Sequence, residues 1–110
     1  MRSADIVLKS SHLILAPSLV NNILEGSDTV YVAYQAQNQA LLVSPKANSW
    51  FPKLHQAEEF LLKNKDLKGT RSVAIREILL DHEIDDADRH LTYTFHETNR
   101  FLKIDLNSPS

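Results

Sequence analysis

Cysteine is absent from the 110 residues of this chain, and glycine occurs only twice. Without cysteine there are no disulfides, no cysteine nucleophiles and no zinc sites with thiolate ligands. Two glycines are too few for a glycine-rich phosphate loop, and no serine carries the flanking glycines of a nucleophile elbow. We therefore predict a protein that is not an enzyme, needs no cofactor and binds no small-molecule ligand.

Long apolar runs and a strong net charge are also missing. The longest apolar stretches have only a few residues, which argues against a membrane-spanning helix. The opening MRSADIVLKSS lacks the apolar core of a signal peptide, so we expect a cytoplasmic protein. A formal net charge of −2 argues against a strongly basic nucleic-acid binder but is compatible with a local basic face. The length of 110 residues predicts one compact domain over residues 1–110 or two tightly fused half-domains, and the 43% hydrophobic and 24% charged residues are typical of a soluble globular protein.

Apolar residues at helical spacing predict two helices. A short helix is expected from Pro17 to Glu25, because proline suits the first turn and Gly26 can end the helix. A longer amphipathic helix is expected over about 50–66. It rests on four apolar residues that recur at helical intervals: Trp50, Leu54, Ala57 and Leu61.

Alternating apolar and polar residues predict two β-hairpins. TVYVAYQ and ALLVS form the first hairpin, with a turn at Asn38, and HLTYTFH and RFLKIDL form the second, with a turn at Asn99. Three further short strands are expected in IVLK, HLILA and SVAI.

The two hairpins suggest an internal repeat. A shift of 61 residues places Tyr34 on Phe95 and Val43 on Ile104. The alternative is that two hairpins look alike because strand chemistry is limited. Since one half of about forty residues is too small to bury a core alone, we predict an α+β fold in which the two halves pack against each other. Two strand–helix–hairpin pseudo-repeats, about 11–45 and 70–106, would form a small barrel-like sheet joined by the helix over about 50–66.

The order of these elements resembles a known superfamily. HLILAPSLVNNILEGSDTVYVAYQAQNQALLVSP has the strand, proline, short helix, strand and hairpin of AbrB/SpoVT proteins. Trp50 after the first hairpin, and KGTRSVAIREIL in the second half, are similar to motifs of the two-repeat MraZ-like members. The resemblance covers most of residues 10–106. It implies a swapped-hairpin barrel and a DNA-binding transcriptional regulator.

This resemblance would place Lys68, Arg71 and Arg76 on DNA. Residues 46–76 contain seven basic and three acidic side chains, a net charge of +4. Such a segment can contact phosphates through lysine and arginine. The alternative is an ordinary solvated helix face and loop, since these side chains are mostly exposed in any protein.

The densest group of possible metal ligands runs from Asp81 to His90. An EF-hand beginning at Asp81 would need glycine at its sixth position and glutamate at its twelfth, where Asp86 and Thr92 stand. HEIDD also differs from the HExxH zinc motif. The alternative is a polar turn whose carboxylates cap backbone groups or are solvated. We assign no metal ligand.

Four aromatic residues are candidates for an interface: Tyr31, Trp50, Phe51 and Phe60. We favour burial of Trp50 between the long helix and the sheet, and we place at least one of the two phenylalanines at a subunit contact.

The first hairpin is apolar on both faces, which predicts a central strand or a dimer interface. We therefore predict a non-enzymatic binding or scaffold domain that self-associates. The alternative is a DNA-binding regulator of the MraZ/AbrB type.

Overall fold

A computed structural model describes residues 6–22, 28–45, 48–55, 57–64, 69–96 and 100–106 of the chain. The Cα radius of gyration is 12.7 Å, as expected for a compact chain of this length. None of the helices in the described segments has the length and apolar character needed to cross a bilayer. The elements are, in chain order, β1 (Ile6–Lys9), β2 (His12–Leu15), α1 (Pro17–Asn22), β3 (Thr29–Gln35), β4 (Ala40–Pro45), α2 (Phe51–His55), β5 (Glu58–Leu61), β6 (Lys63–Asn64), β7 (Arg71–Ala74), α3 (Arg76–Asp81), β8 (Arg89–His90), β9 (Thr92–His96) and β10 (Phe101–Asp105).

The strands form two antiparallel sheets of five strands each. Sheet A has the order β6-β7-β2-β1-β8, and sheet B has the order β5-β3-β4-β10-β9. Strands distant in sequence lie side by side: Leu13 pairs with Val73 between β2 and β7, and Leu41 pairs with Ile104 between β4 and β10. Both sheets therefore combine strands from the first and the second half of the chain.

The main core lies where the apolar faces of the two sheets meet. Along β2, Leu13 and Leu15 are buried while His12 and Ile14 are only partly covered, the period-two pattern of a strand with one core face. Buried side chains of both sheets pack in one cluster, among them Ile6, Leu8, Leu13, Val73, Val30, Val32, Leu41, Leu102 and Ile104. Removal of this apolar surface from water is the main force that holds the sheets together.

A smaller apolar cluster covers the other face of sheet B. Its buried members are Ala33, Leu42, Phe51 and Phe101. Phe51 comes from α2 and is 0% exposed. This short helix is therefore fixed to the sheet by a side chain that packs on strands β3, β4 and β10.

Both predicted hairpins are confirmed, although the predicted turn at Asn99 lies outside the described residues. Of the two alternatives for the first hairpin, a central strand or a dimer interface, the sheet order shows the central position. Tyr34 pairs with Leu41 in the first hairpin, and Phe95 pairs with Leu102 in the second. Strands β3 and β4 are interior strands of sheet B, with the core on one face and the Phe51 cluster on the other. This arrangement explains why the first hairpin is apolar on both faces.

The predicted fold class is wrong. The described residues form two five-stranded antiparallel sheets with three short helices and no closed barrel, rather than strand–helix–hairpin pseudo-repeats joined by an amphipathic helix. In place of the helix over about 50–66, the chain forms α2 and the strands β5 and β6. The reason is tertiary pairing: β5 pairs antiparallel with β3, from Leu61 with Thr29 to Glu58 with Val32, and β6 pairs with β7.

The turn between β1 and β2 has an unusual backbone. Ser10 and Ser11 have φ angles of 51° and 64°, and a two-residue hairpin turn of type I′ requires positive φ at both positions. The Ser10 N–H donates to Oδ1 of Asp88 at 3.0 Å, and the Ile75 N–H donates to the Ser11 carbonyl at 3.0 Å. Contacts from two distant segments thus hold a conformation that serine disfavours.

Candidate interaction surface

The four sheet edges differ in how well they are protected from pairing with another chain. Strands β6 and β8 have only two residues each, and each carries a basic side chain, Lys63 or Arg89. Strand β5 carries Glu58 and Glu59. Short length and charged side chains are the common means by which proteins block edge-to-edge association.

Strand β9 has neither form of protection. It runs over five residues, Thr92–His96, without Asp, Glu, Lys, Arg or proline. All five residues pair in register with β10, from Thr92 with Asp105 to His96 with Phe101. An edge strand directs alternate N–H and C=O groups away from its sheet. Among the strands described, β9 is therefore the longest regular edge that lacks charge.

The side chains of β9 alternate between the core and the solvent. Tyr93 and Phe95 are half-buried and pack against the main core cluster. Thr92, Thr94 and His96 are exposed on the opposite face of sheet B. Because β9 is the last strand of its sheet, the two aromatic rings lie at the open side of the core.

An aromatic row leads from β9 to α2 across the outer face of sheet B. His96 stacks on Phe101, with ring centroids 4.6 Å apart and an interplanar angle of 13°. Phe101 lies 5.7 Å from Phe51, and Phe51 lies 5.6 Å from Trp50 in an edge-to-face arrangement. The row places an exposed tryptophan on the same face of the sheet as the exposed residues of β9.

The four predicted interface residues have different environments. Trp50 is 38% exposed and Phe51 is 0% exposed, so the prediction that Trp50 is buried is wrong. Tyr31 packs against the smaller cluster and Phe60 against the main core, and both are half-buried. Trp50 is thus the most exposed of the four.

The three predicted DNA-contacting residues are also placed differently. Arg71 is held within the fold: its Nη2 donates to the Leu62 carbonyl at 2.7 Å and to Oδ1 of Asp28 at 3.0 Å, and its side chain is 12% exposed. Arg76 is exposed at the start of α3. Lys68 lies outside the described residues.

The outer face of sheet A has a basic character. The strand positions that alternate with the core residues of this sheet include no carboxylate; they are Val7, Lys9, His12, Ile14, Lys63, Ser72, Ala74 and His90. Lys9 and Lys63 are exposed. The whole chain has a net charge of −2, so this basic face differs in the sign of its charge from the chain as a whole.

The acidic run forms backbone contacts. Oδ1 of Asp85 accepts the Ala87 N–H at 3.0 Å, and Asp88 accepts the N–H of Ser10. Arg89 donates to the carbonyls of Asp85, Ala87 and Leu106 at 2.9, 2.7 and 2.8 Å. Within the described ranges, no three His, Asp or Glu side chains are grouped so as to hold a metal ion.

A cleft of about 340 Å³ lies beside α3, between this helix and the strands β3 and β5. Its rim carries the carboxylates of Glu58, Glu77 and Asp81, and His82 stacks on Tyr34 with ring centroids 3.9 Å apart. The sequence gives no sign of this cleft, because its lining residues come mainly from three elements that only the tertiary fold brings together.

No family model, curated protein or solved structure matches the chain. The interpretation of its function therefore depends on the geometry and chemistry of its own surfaces.

Proposed function

We propose that this protein is a non-enzymatic binding or scaffold domain that self-associates through the β9 edge of sheet B. The observation that supports the proposal is the five-residue uncharged edge strand, which is flanked on the core side by two half-buried aromatic rings. Addition of a strand at this edge would extend sheet B and cover the exposed parts of Tyr93 and Phe95. Burial of apolar surface drives such an association, and backbone hydrogen bonds direct it.

This function needs neither a pocket nor a catalytic group. Affinity in strand addition comes from main-chain hydrogen bonds, and specificity comes from the alternate side chains of the strand. The exposed Trp50 ring, at the far end of the aromatic row, adds an anchor of the kind enriched at the centres of interfaces.

We expect the protein to have a concentration-dependent mass in solution. Sedimentation velocity and light scattering should show species heavier than the 12.5 kDa chain as concentration rises. In hydrogen exchange, the alternate amides of β9 that point away from β10 should become more protected over the same range, because pairing with another strand sequesters them. The amides of β5 serve as the control and should not change. A strict monomer at the highest soluble concentration would contradict the proposal.

DNA binding is the second candidate function, and the outer face of sheet A favours it. Lys9 and Lys63 are exposed there among strand residues that include no carboxylate, and Arg76 is exposed on α3. These three cations are better placed for phosphate contact than Arg71, whose guanidinium group is engaged by Asp28 and Leu62.

Binding to mixed-sequence duplex DNA at low and moderate salt tests this candidate. The variant Lys9→Ala/Lys63→Ala should reduce the salt slope by roughly 0.9 for each phosphate that the protein no longer neutralises. Lys53→Ala, which removes an exposed lysine from α2, is the matched control and should leave the slope unchanged. Absence of binding by the unmodified protein at low salt would reject DNA binding.

A further inference from the structure

We infer that the occupant of the β9 edge is β9 of a second copy of this chain, paired antiparallel about a two-fold axis at Thr94. The inference rests on the proposed function and specifies its partner and register. It would join two copies of sheet B into one continuous sheet of ten strands, five from each copy.

The register follows from the alternation of side chains. In a continuous sheet, residues opposite each other across two strands point to the same face. Since Tyr93 and Phe95 face the core while Thr92, Thr94 and His96 face outward, only residues of the same parity can pair. Among the symmetric registers with this property, the one that places Thr94 opposite Thr94 overlaps all five residues of the strand.

This register brings complementary side chains together on the core side. Tyr93 of one copy lies opposite Phe95 of the other, and the symmetry repeats the pair. Aromatic cross-strand pairs of this kind stabilise a sheet, and both rings are half-buried in the single chain. Pairing would therefore complete the burial of the two rings that the core leaves at its open side.

On the outer face, the register brings no like charges together. Thr94 lies opposite itself, and Thr92 lies opposite His96 of the other copy. Polar and aromatic residues alternate along β9, so the pattern is the same in both directions from Thr94. A two-fold interface requires self-complementarity of this kind. A strand from an unrelated protein would not need this symmetry.

The other edge of sheet B fits the same assembly. In the ten-stranded sheet both outer edges would be β5 strands, and each carries the exposed carboxylates Glu58 and Glu59. These charges oppose further strand addition, whereas the uncharged β9 lies in the middle. The distribution of charge between the two edges therefore favours an assembly that closes at two copies.

A charge pair at Thr94 tests the register. Thr94→Lys and Thr94→Asp each place two like charges opposite one another, so each variant alone should dissociate on the order of tenfold more readily. An equimolar mixture of the two variants should recover association, because the opposed charges are then of opposite sign. Ala74→Lys, at an exposed strand position of sheet A, is the control and should associate like the unmodified protein.

A single cysteine gives a second measurement, since the chain has none of its own. Under a mild oxidant, Thr94→Cys should form a disulfide-linked dimer, because residues directly opposite in antiparallel strands approach within disulfide reach. Thr92→Cys should crosslink far less, because Thr92 lies opposite His96. Circular dichroism of each variant establishes that it is folded.

The outcomes separate the inference from the proposed function. The inference is supported if both single variants lose association, their mixture recovers it and Thr94→Cys forms the crosslink. Association that neither charge at Thr94 alters would overturn it and leave self-association standing. Failure of the mixture to recover, or crosslinking at Thr92 instead, would overturn the register. A monomeric unmodified protein would overturn both.

Discussion

Phe51→Ala is expected to lower the free energy of unfolding by about 3–5 kcal/mol. The phenyl ring is 0% exposed and packs with Ala33, Leu42 and Phe101. Its removal leaves a cavity between α2, a helix of five residues, and sheet B. Urea denaturation of the variant and the unmodified protein measures the difference.

Trp50→Ala is the matched control for this prediction. The indole ring is adjacent in sequence and larger, but it is 38% exposed, so its removal should cost no more than about 1 kcal/mol. Equal losses in the two variants, or a loss below about 1 kcal/mol for Phe51→Ala, would show that α2 is not fixed by Phe51. The same Trp50→Ala protein also reports whether the exposed ring contributes to self-association.

Arg71→Ala is expected to lower the free energy of unfolding by about 2–3 kcal/mol. The bond from Nη2 to the Leu62 carbonyl, at 2.7 Å, is charge-assisted and part-buried, and it ties β7 to the chain beyond β5. The ion pair with Asp28 adds little, because the Asp28 side chain is 85% exposed. Nε of Arg71 is buried without a hydrogen-bond partner in the described residues, which offsets part of the gain.

Two further variants separate these contributions. Asp28→Asn should change stability by less than about 1 kcal/mol, since it removes only the exposed ion pair. Arg71→Lys should fall between the unmodified protein and Arg71→Ala, because lysine keeps the charge and the apolar stem but loses the forked donors. Thermal melts of the three variants provide the comparison. A loss in Asp28→Asn as large as that in Arg71→Ala would mean that the ion pair dominates.

The local β-structure could be predicted because strand alternation is visible over a few residues. Val30 and Val32 alternate with Tyr31 and Ala33, and a short polar stretch separates them from the next strand. A hairpin needs only this local pattern and a turn, so both hairpins were predictable.

The segment after Trp50 could not be predicted from spacing alone. Four apolar residues recur there at helical intervals, yet the segment Glu58–Leu61 forms strand β5 and pairs antiparallel with β3. Short apolar runs fit both periods, and the available partner strand decides between them. The intrinsic preference of a sequence for helix is weak compared with such tertiary pairing.

The candidate site depends on strand order, which local sequence does not encode. The residues of β9 are visible as a strand in the sequence, but only the sheet order makes them an edge. In the same way, the sequence does not show which of two adjacent aromatic residues is buried. The packing of α2 on sheet B buries Phe51 and leaves Trp50, the residue before the helix, exposed.

The pairing of β1 with β8 has a consequence for biosynthesis. Val7 pairs with His90, which lies 83 positions later in the sequence, so β1 acquires this neighbour only after that whole stretch has left the ribosome. Long-range pairing of this kind slows folding, because the entropy cost of closing a large loop precedes the stabilising contacts. The apolar side chains Ile6 and Leu8 therefore lack their final cover while the intervening residues are synthesised, and misassembly is a greater hazard for the nascent chain than for the folded protein.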